Sequence, residues 1–91
     1  MTTIAEFHKI DPEDIARSLA DARETLNSAE TELVLDFCEV PRVDPGGLRA
    51  LEDFAGAAEE KSVKVALRGV NVDVYKVLKL ARLASRFSIV N

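Results

Sequence analysis

The chain has 91 residues, 47% of them hydrophobic, and a net charge of −4. An acidic balance excludes a nucleic-acid binder, whose affinity rests on Lys and Arg meeting phosphate, and excludes docking on an anionic membrane. The size predicts one domain, residues 1–91, and with four Phe, one Tyr and no Trp its core must be filled by Leu, Val and Ala.

The N-terminus, MTTIAEFHKIDPED, lacks the basic start and apolar core of a secretory signal. No apolar run approaches the ~20 residues that span a bilayer. The single cysteine, Cys38, has no partner within the chain, so a reduced cytoplasm is the expected setting. No linker, internal repeat or low-complexity segment interrupts the sequence.

Residues 3–9, TIAEFHK, read as a short strand with imperfect alternation. In DPEDIARSLADARETL, Asp11 suits an N-cap, Pro12 the first helical position, and Glu13 and Asp14 the positive helix end. Ile15, Leu19, Ala22 and Leu26 recur at helical spacing, predicting a helix that ends near Asn27. ELVLDFCEV, residues 32–40, is an apolar run of strand length and reads as a strand covered on both faces. A second helix starts near Asp44, with Leu48, Leu51, Phe54, Ala55 and Ala58 inward and Glu52, Asp53, Glu59 and Glu60 solvated. VKVALRGV, residues 63–70, alternates and predicts a strand ending at Gly69. Asn71 or Asp73 caps a third helix that buries Val74, Val77, Leu78 and Ala81, and Phe87 to Val90 form a last strand.

Strands alternating with helices predict an α/β layer with right-handed crossovers. In such sheets function collects beyond the C-terminal strand ends, which is where Asp44-Pro45-Gly46-Gly47 falls. The loop lacks the Lys and hydroxyl of a nucleotide phosphate loop, and no GxGxxG is present. His8 and Cys38 have no partners at metal-ligand spacing, so no metal or cofactor is expected; Cys38 reads as a small buried hydrophobe and His8 as a surface residue. None of Ser18, Ser28, Ser62, Ser85 and Ser88 sits in a GxSxG elbow. Asp36 and Asp44 are the one carboxylate pair placed for acid–base work. The plainer reading gives Asp44 the helix cap and has Asp36 bind backbone amides. Lys76, Lys79, Arg82 and Arg86 suggest a basic stripe on the third helix, either solvated or facing an acidic protein, and Arg42 and Arg49 bracket the glycines.

Taken together, LVLDF, VDPGGL, the following helix and LRG at the next strand end resemble the STAS domain family over roughly residues 10–91. The resemblance implies an open mixed, mostly parallel sheet with helices packed on it. Only about ten residues precede the first helix, where the family commonly has two strands, so that edge is expected to be trimmed. The family includes bacterial anti-sigma factor antagonists, in which a Ser or Thr two residues after an Asp is phosphorylated by a partner kinase. Here Asp44 and Gly47 match that motif, while Pro45 takes the first serine position and Gly46 the acceptor position. The resemblance therefore implies a partner-binding loop of Arg42, Asp44, Pro45, Gly46, Gly47, Leu48 and Arg49 without the phosphorylation switch. Its partner would be an anti-sigma factor or GHKL-type kinase, or alternatively the ATPase of a lipid-transport ABC complex. An enzyme using Asp36 and Asp44 is the remaining alternative.

Overall fold

The computed structural model describes residues 6–26 and 32–90. Its elements are β1 (Glu6–Lys9), α1 (Ile15–Leu26), β2 (Glu32–Asp36), α2 (Pro45–Glu60), β3 (Lys64–Arg68), α3 (Val72–Leu80), a 3-10 turn (Ala84–Arg86) and β4 (Ser88–Val90). The strands form one sheet in the order β1-β2-β3-β4. All three pairings are parallel, with Leu33 beside Val65 and Leu35 beside Leu67 at the centre. This is the mostly parallel α/β architecture expected. Residues 3–5 of the expected first strand, and the expected helix end at Asn27, lie outside the described residues.

Strand order decides where the helices go. Each strand pairs with the one before it, and right-handed crossovers that always step the same way place every connecting helix on one face. Leu33, Leu35, Val65 and Leu67 accordingly share a core with Ile15, Leu19, Leu51, Phe54, Val74 and Leu78 from the three helices. The alternate positions do not. Glu32, Val34 and Asp36 are only half-buried, and Ala66, though buried, stands outside that core. The expectation that β2 is covered on both faces is therefore corrected. An unbroken apolar run describes composition, and only the topology tells which side is packed.

Three element ends differ from the sequence reading for local reasons. The first helix starts at Ile15, not near Asp11. The Asp11 carboxylate takes the Glu13 N–H (2.9 Å) and its carbonyl takes the Asp14 N–H (3.2 Å), closing a turn before the helix. Asp14 is the working cap, accepting from Arg17 N–H at 3.1 Å. Buried Ser18 fastens the turn to the helix, its Oγ accepting the Asp11 N–H at 2.9 Å. The second strand stops at Asp36, since Val40 N–H bonds Phe37 O (3.0 Å) and turns the chain.

The third helix stops at Leu80. Arg82 takes the left-handed conformation (φ 61°), its N–H bonds Lys79 O (3.1 Å), and Leu83 N–H bonds Leu78 O (2.8 Å). This is a Schellman closure built without glycine, which leaves the sequence without its usual stop signal. Ala81 is consequently exposed and Val77 half-buried, while Val74 and Leu78 are buried as expected. The proposed basic stripe breaks at the same point. Lys76 and Lys79 remain exposed on α3, but Arg86 lies in the 3-10 turn. There its guanidinium grips Glu59 of α2 through two bonds of 3.0 and 2.9 Å.

Candidate functional site

At the C-terminal rim of the sheet the loop after β2 runs directly into α2. Asp44 has extended backbone angles (φ −82°, ψ 173°) and its carboxylate accepts the Gly47 N–H at 2.7 Å, while its carbonyl accepts Leu48 N–H at 2.9 Å. Pro45 occupies the first helical position, where a missing N–H costs nothing. The expected capping role of Asp44 is thus met. Gly47 is buried, and a Cβ there would stand 2.9 Å from Val43 Cγ1 and 3.5 Å from Ile15 Cγ2. The absent side chain lets the start of α2 pack on the start of α1. Gly46 is exposed, and a Cβ there meets nothing nearer than Asp44 Oδ1 at 3.6 Å.

Of the other loop residues, Arg42, Pro45 and Arg49 are exposed and Leu48 is half-buried against the core. Arg42, Asp44 and Gly46 share a shallow open cleft with Pro12, Glu13 and Asp14 from the turn before α1. Sequence reasoning missed those neighbours. Their position after β1 was the available signal, because consecutive βα loops of a parallel sheet open on one rim.

Asn71 holds the loop from the other side. Its Oδ1 accepts Val74 N–H at 2.8 Å, capping α3 as expected, and its Nδ2 donates to Val40 O (3.3 Å) and Pro41 O (3.1 Å). One side chain thereby ties α3 to the segment entering the loop. We expect Asn71→Ala to lower stability by about 1–2 kcal/mol through the lost cap. Asn71→Asp keeps the cap and loses only the donors to Val40 and Pro41, so it should cost less. Urea titration of both variants checks the order.

The two carboxylates have separate structural jobs. Asp36 Oδ1 accepts Cys38 N–H at 2.9 Å, while Asp44 closes its own helix. No cluster of three His, Cys, Asp or Glu able to hold a metal exists among the described residues. His8 is half-buried on edge strand β1, consistent with the surface position expected. Cys38 is exposed, which corrects the expectation of a buried thiol: the strand ends before it and the turn carries it outward. Its thiol hydrogen-bonds Asp36, and this bond, followed by desolvation, raises the thiol pKa above the usual value. The same bond, with that from Cys38 N–H, holds the Asp36 carboxyl below the ordinary carboxylate range, helped by Arg68 and Lys9.

A carboxyl depressed on folding adds stability above its unfolded pKa of about 3.9, and that stability disappears as pH falls through the folded value. Asp36→Asn, which retains an acceptor for Cys38 N–H, should therefore flatten the loss of stability on acidification below about pH 4. Thermal melts across that range would expose a wild-type-like slope if Asp36 did not contribute.

Comparison with known proteins follows the fold. Residues 9–90 match the family model described as "Mlab, STAS domain". Among curated proteins no sequence matches. A sulfate transporter family protein from Wolinella succinogenes is similar in structure with TM-score 0.77 and 21% identity, over 93% of this chain and 75% of that one. The STAS domain of a SulP transporter from Vibrio cholerae gives TM-score 0.78 and 15% identity, over 99% and 76%. A putative anti-sigma factor antagonist from Thermotoga maritima gives 0.70 and 22%, over 100% and 75%. At these identities the structures speak for the fold, while the family match spans nearly the whole sequence. The chain belongs to the family described as Mlab, STAS domain.

Proposed function

We propose that the chain is a non-catalytic regulatory module, anti-sigma factor antagonist-like, that binds a protein partner through the Asp44 loop and the first turn of α2. The observation that carries this reading is the loop itself. Arg42, Asp44, Pro45, Gly46 and Arg49 are all exposed around a helix start fixed by its cap, with Gly47 and Leu48 packed beneath them. Glycine at position 46 offers no hydroxyl, so the loop is not switched by phosphorylation there. Its partner is an anti-sigma factor or GHKL-type kinase in the cytoplasm. Neither nucleic acid nor membrane is a partner, and no helix among the described residues is long and apolar enough to cross a bilayer.

A second reading makes the chain the small STAS subunit on the ATPase of a lipid-transport ABC complex. The family model that carries the Mlab name supports it. Enzymatic acid–base chemistry has the least support, because Asp36 and Asp44 are each engaged in a turn or a cap.

Affinity capture from the native cytoplasm, followed by titration of the recovered protein, separates these readings. A histidine-kinase-like ATPase supports the first and a transporter ATPase the second. Either should bind Arg49→Glu at least tenfold more weakly than wild type. A recovered partner indifferent to Arg49→Glu and to Gly46→Asp would remove the loop from the interface.

A further inference from the structure

The face of the sheet turned away from the helices carries three rows of side chains. In the first, Glu32 on β2 stands in register with Lys64 on β3. The middle row crosses all four strands as Phe7, Val34, Ala66 and Ser88. The third also crosses all four strands, as Lys9, Asp36, Arg68 and Val90. Phe7 is 54% exposed and Val34 half-buried, so these two present the middle row's apolar surface to water, while Ala66 between Val34 and Ser88 is already covered. Neither Glu32 with Lys64 nor Asp36 with Arg68 closes an ion pair; among the described residues the ion pairs are Lys9 with Glu39 and Arg86 with Glu59.

We propose that a second copy of the chain docks on this face, sheet on sheet, about a two-fold axis parallel to the strands. Such an axis keeps strand direction and reverses strand order, so β2 of one copy lies over β3 of the other. Glu32 then faces the second copy's Lys64, Val34 faces its Ala66, and Asp36 faces its Arg68. Each contact occurs twice, as an isologous interface requires. Phe7 falls over the second copy's Ser88, a large side chain against a small one. Aligned sheets pack about 10 Å apart with strands within about 30° of each other, which lets long side chains from the two faces meet. An in-plane axis across the strands would instead set Glu32 over Asp36 and Lys64 over Arg68, like charge on like charge. The charge pattern therefore selects one of the two arrangements.

The size of the face sets the strength. Four strands of three to five residues project an area of about 250 Å² at ordinary strand spacing and rise. Two such faces bury less than the ~1,200 Å² of a stable complex. The dimer is consequently weak and forms at high protein concentration. It leaves the Asp44 loop uncovered, because that loop lies with the helices.

Sedimentation velocity from about 10 μM to about 1 mM reads the equilibrium. Wild type should pass from monomer toward dimer over this range. Glu32→Lys and Lys64→Glu, made separately, each juxtapose like charges twice and should weaken self-association about tenfold. An equimolar mixture of the two variants should regain wild-type strength, since every reversed charge then meets its opposite on the other variant. Val34→Asp, which brings two carboxylates into the middle of the interface, should abolish the dimer while the diluted protein melts near wild type. The proposal is overturned if wild type stays monomeric at the highest concentration. It is equally overturned if the mixture associates no better than its components, or if a dimer forms that ignores all three substitutions.

Discussion

Gly69→Ala should destabilise the protein by about 2–5 kcal/mol, enough to lower the melting temperature by ~10 °C or more. Two independent costs combine. Gly69 sits at φ +74°, in the left-handed region, where a Cβ costs about 1–2 kcal/mol. The added Cβ would also collide with Cys38 Sγ and lie 3.0 Å from Cys38 Cα and 3.1 Å from Cys38 N. A thiol can rotate away, but backbone atoms cannot without moving the turn that ends β2, and forced insertions of this kind cost about 1–3 kcal/mol. Against a total of about 5–15 kcal/mol for a domain, that is a large fraction. Pairing Gly69→Ala with Cys38→Ala should recover only the part due to sulfur. Chemical denaturation of the single and double variants measures both parts. A Gly69→Ala protein within 1 kcal/mol of wild type would show that the two rim loops do not approach this closely.

Gly46→Asp should leave the fold intact and cost the partner about 30-fold or more in affinity. Gly46 is the second residue of α2, it has no positive φ, and a Cβ fits at 3.6 Å from its nearest neighbour, Asp44 Oδ1. Exchange of glycine within a helix and the positive helix end together favour Asp by about 0.3–1 kcal/mol. The neighbouring carboxylates of Asp44, Glu13 and Asp14 oppose that gain, so the melting temperature should stay within a few degrees. At the interface the balance differs. A charge buried against a partner without an opposite charge costs about 2–5 kcal/mol. Gly46→Asn has nearly the same shape without the charge and should retain most of the binding. Equal losses for Asp and Asn would mean that bulk, not charge, is excluded; no loss for either would place the partner elsewhere.

Much of this molecule was legible before its structure. Helical spacing located α1, α2 and α3, and a short polar side chain before an apolar periodic run marked Asp44 as a cap and left Asn71 or Asp73 for α3; the same signal misled at Asp11, whose carboxylate closes a turn ahead of the helix that Asp14 caps. What the sequence concealed was set by contacts between distant residues. Whether Val34 faces a helix or water depends on strand order, which leaves no trace in ELVLD. Arg86 continued the periodicity of α3 on paper, yet a left-handed arginine at position 82 had already ended the helix. Cys38 looked like one more apolar residue of a long strand, yet the Val40 N–H bonds Phe37 O and turns the chain, while the Asp36 carboxylate takes the Cys38 N–H. Asn71 was read for its oxygen alone, and its nitrogen proved to be what ties α3 to the loop.

The succession β1-β2-β3-β4 also bears on how the chain reaches its structure. Partners such as Glu6 and Leu33, or Glu32 and Lys64, lie roughly thirty residues apart. No strand has to be inserted between two that are already joined; each is laid against the growing edge left by its predecessor. Closing such modest loops one after another keeps the entropic cost of every step small. A chain emerging from the ribosome could therefore build this sheet in the order of synthesis, with β1, α1 and β2 assembled while β4 is still untranslated.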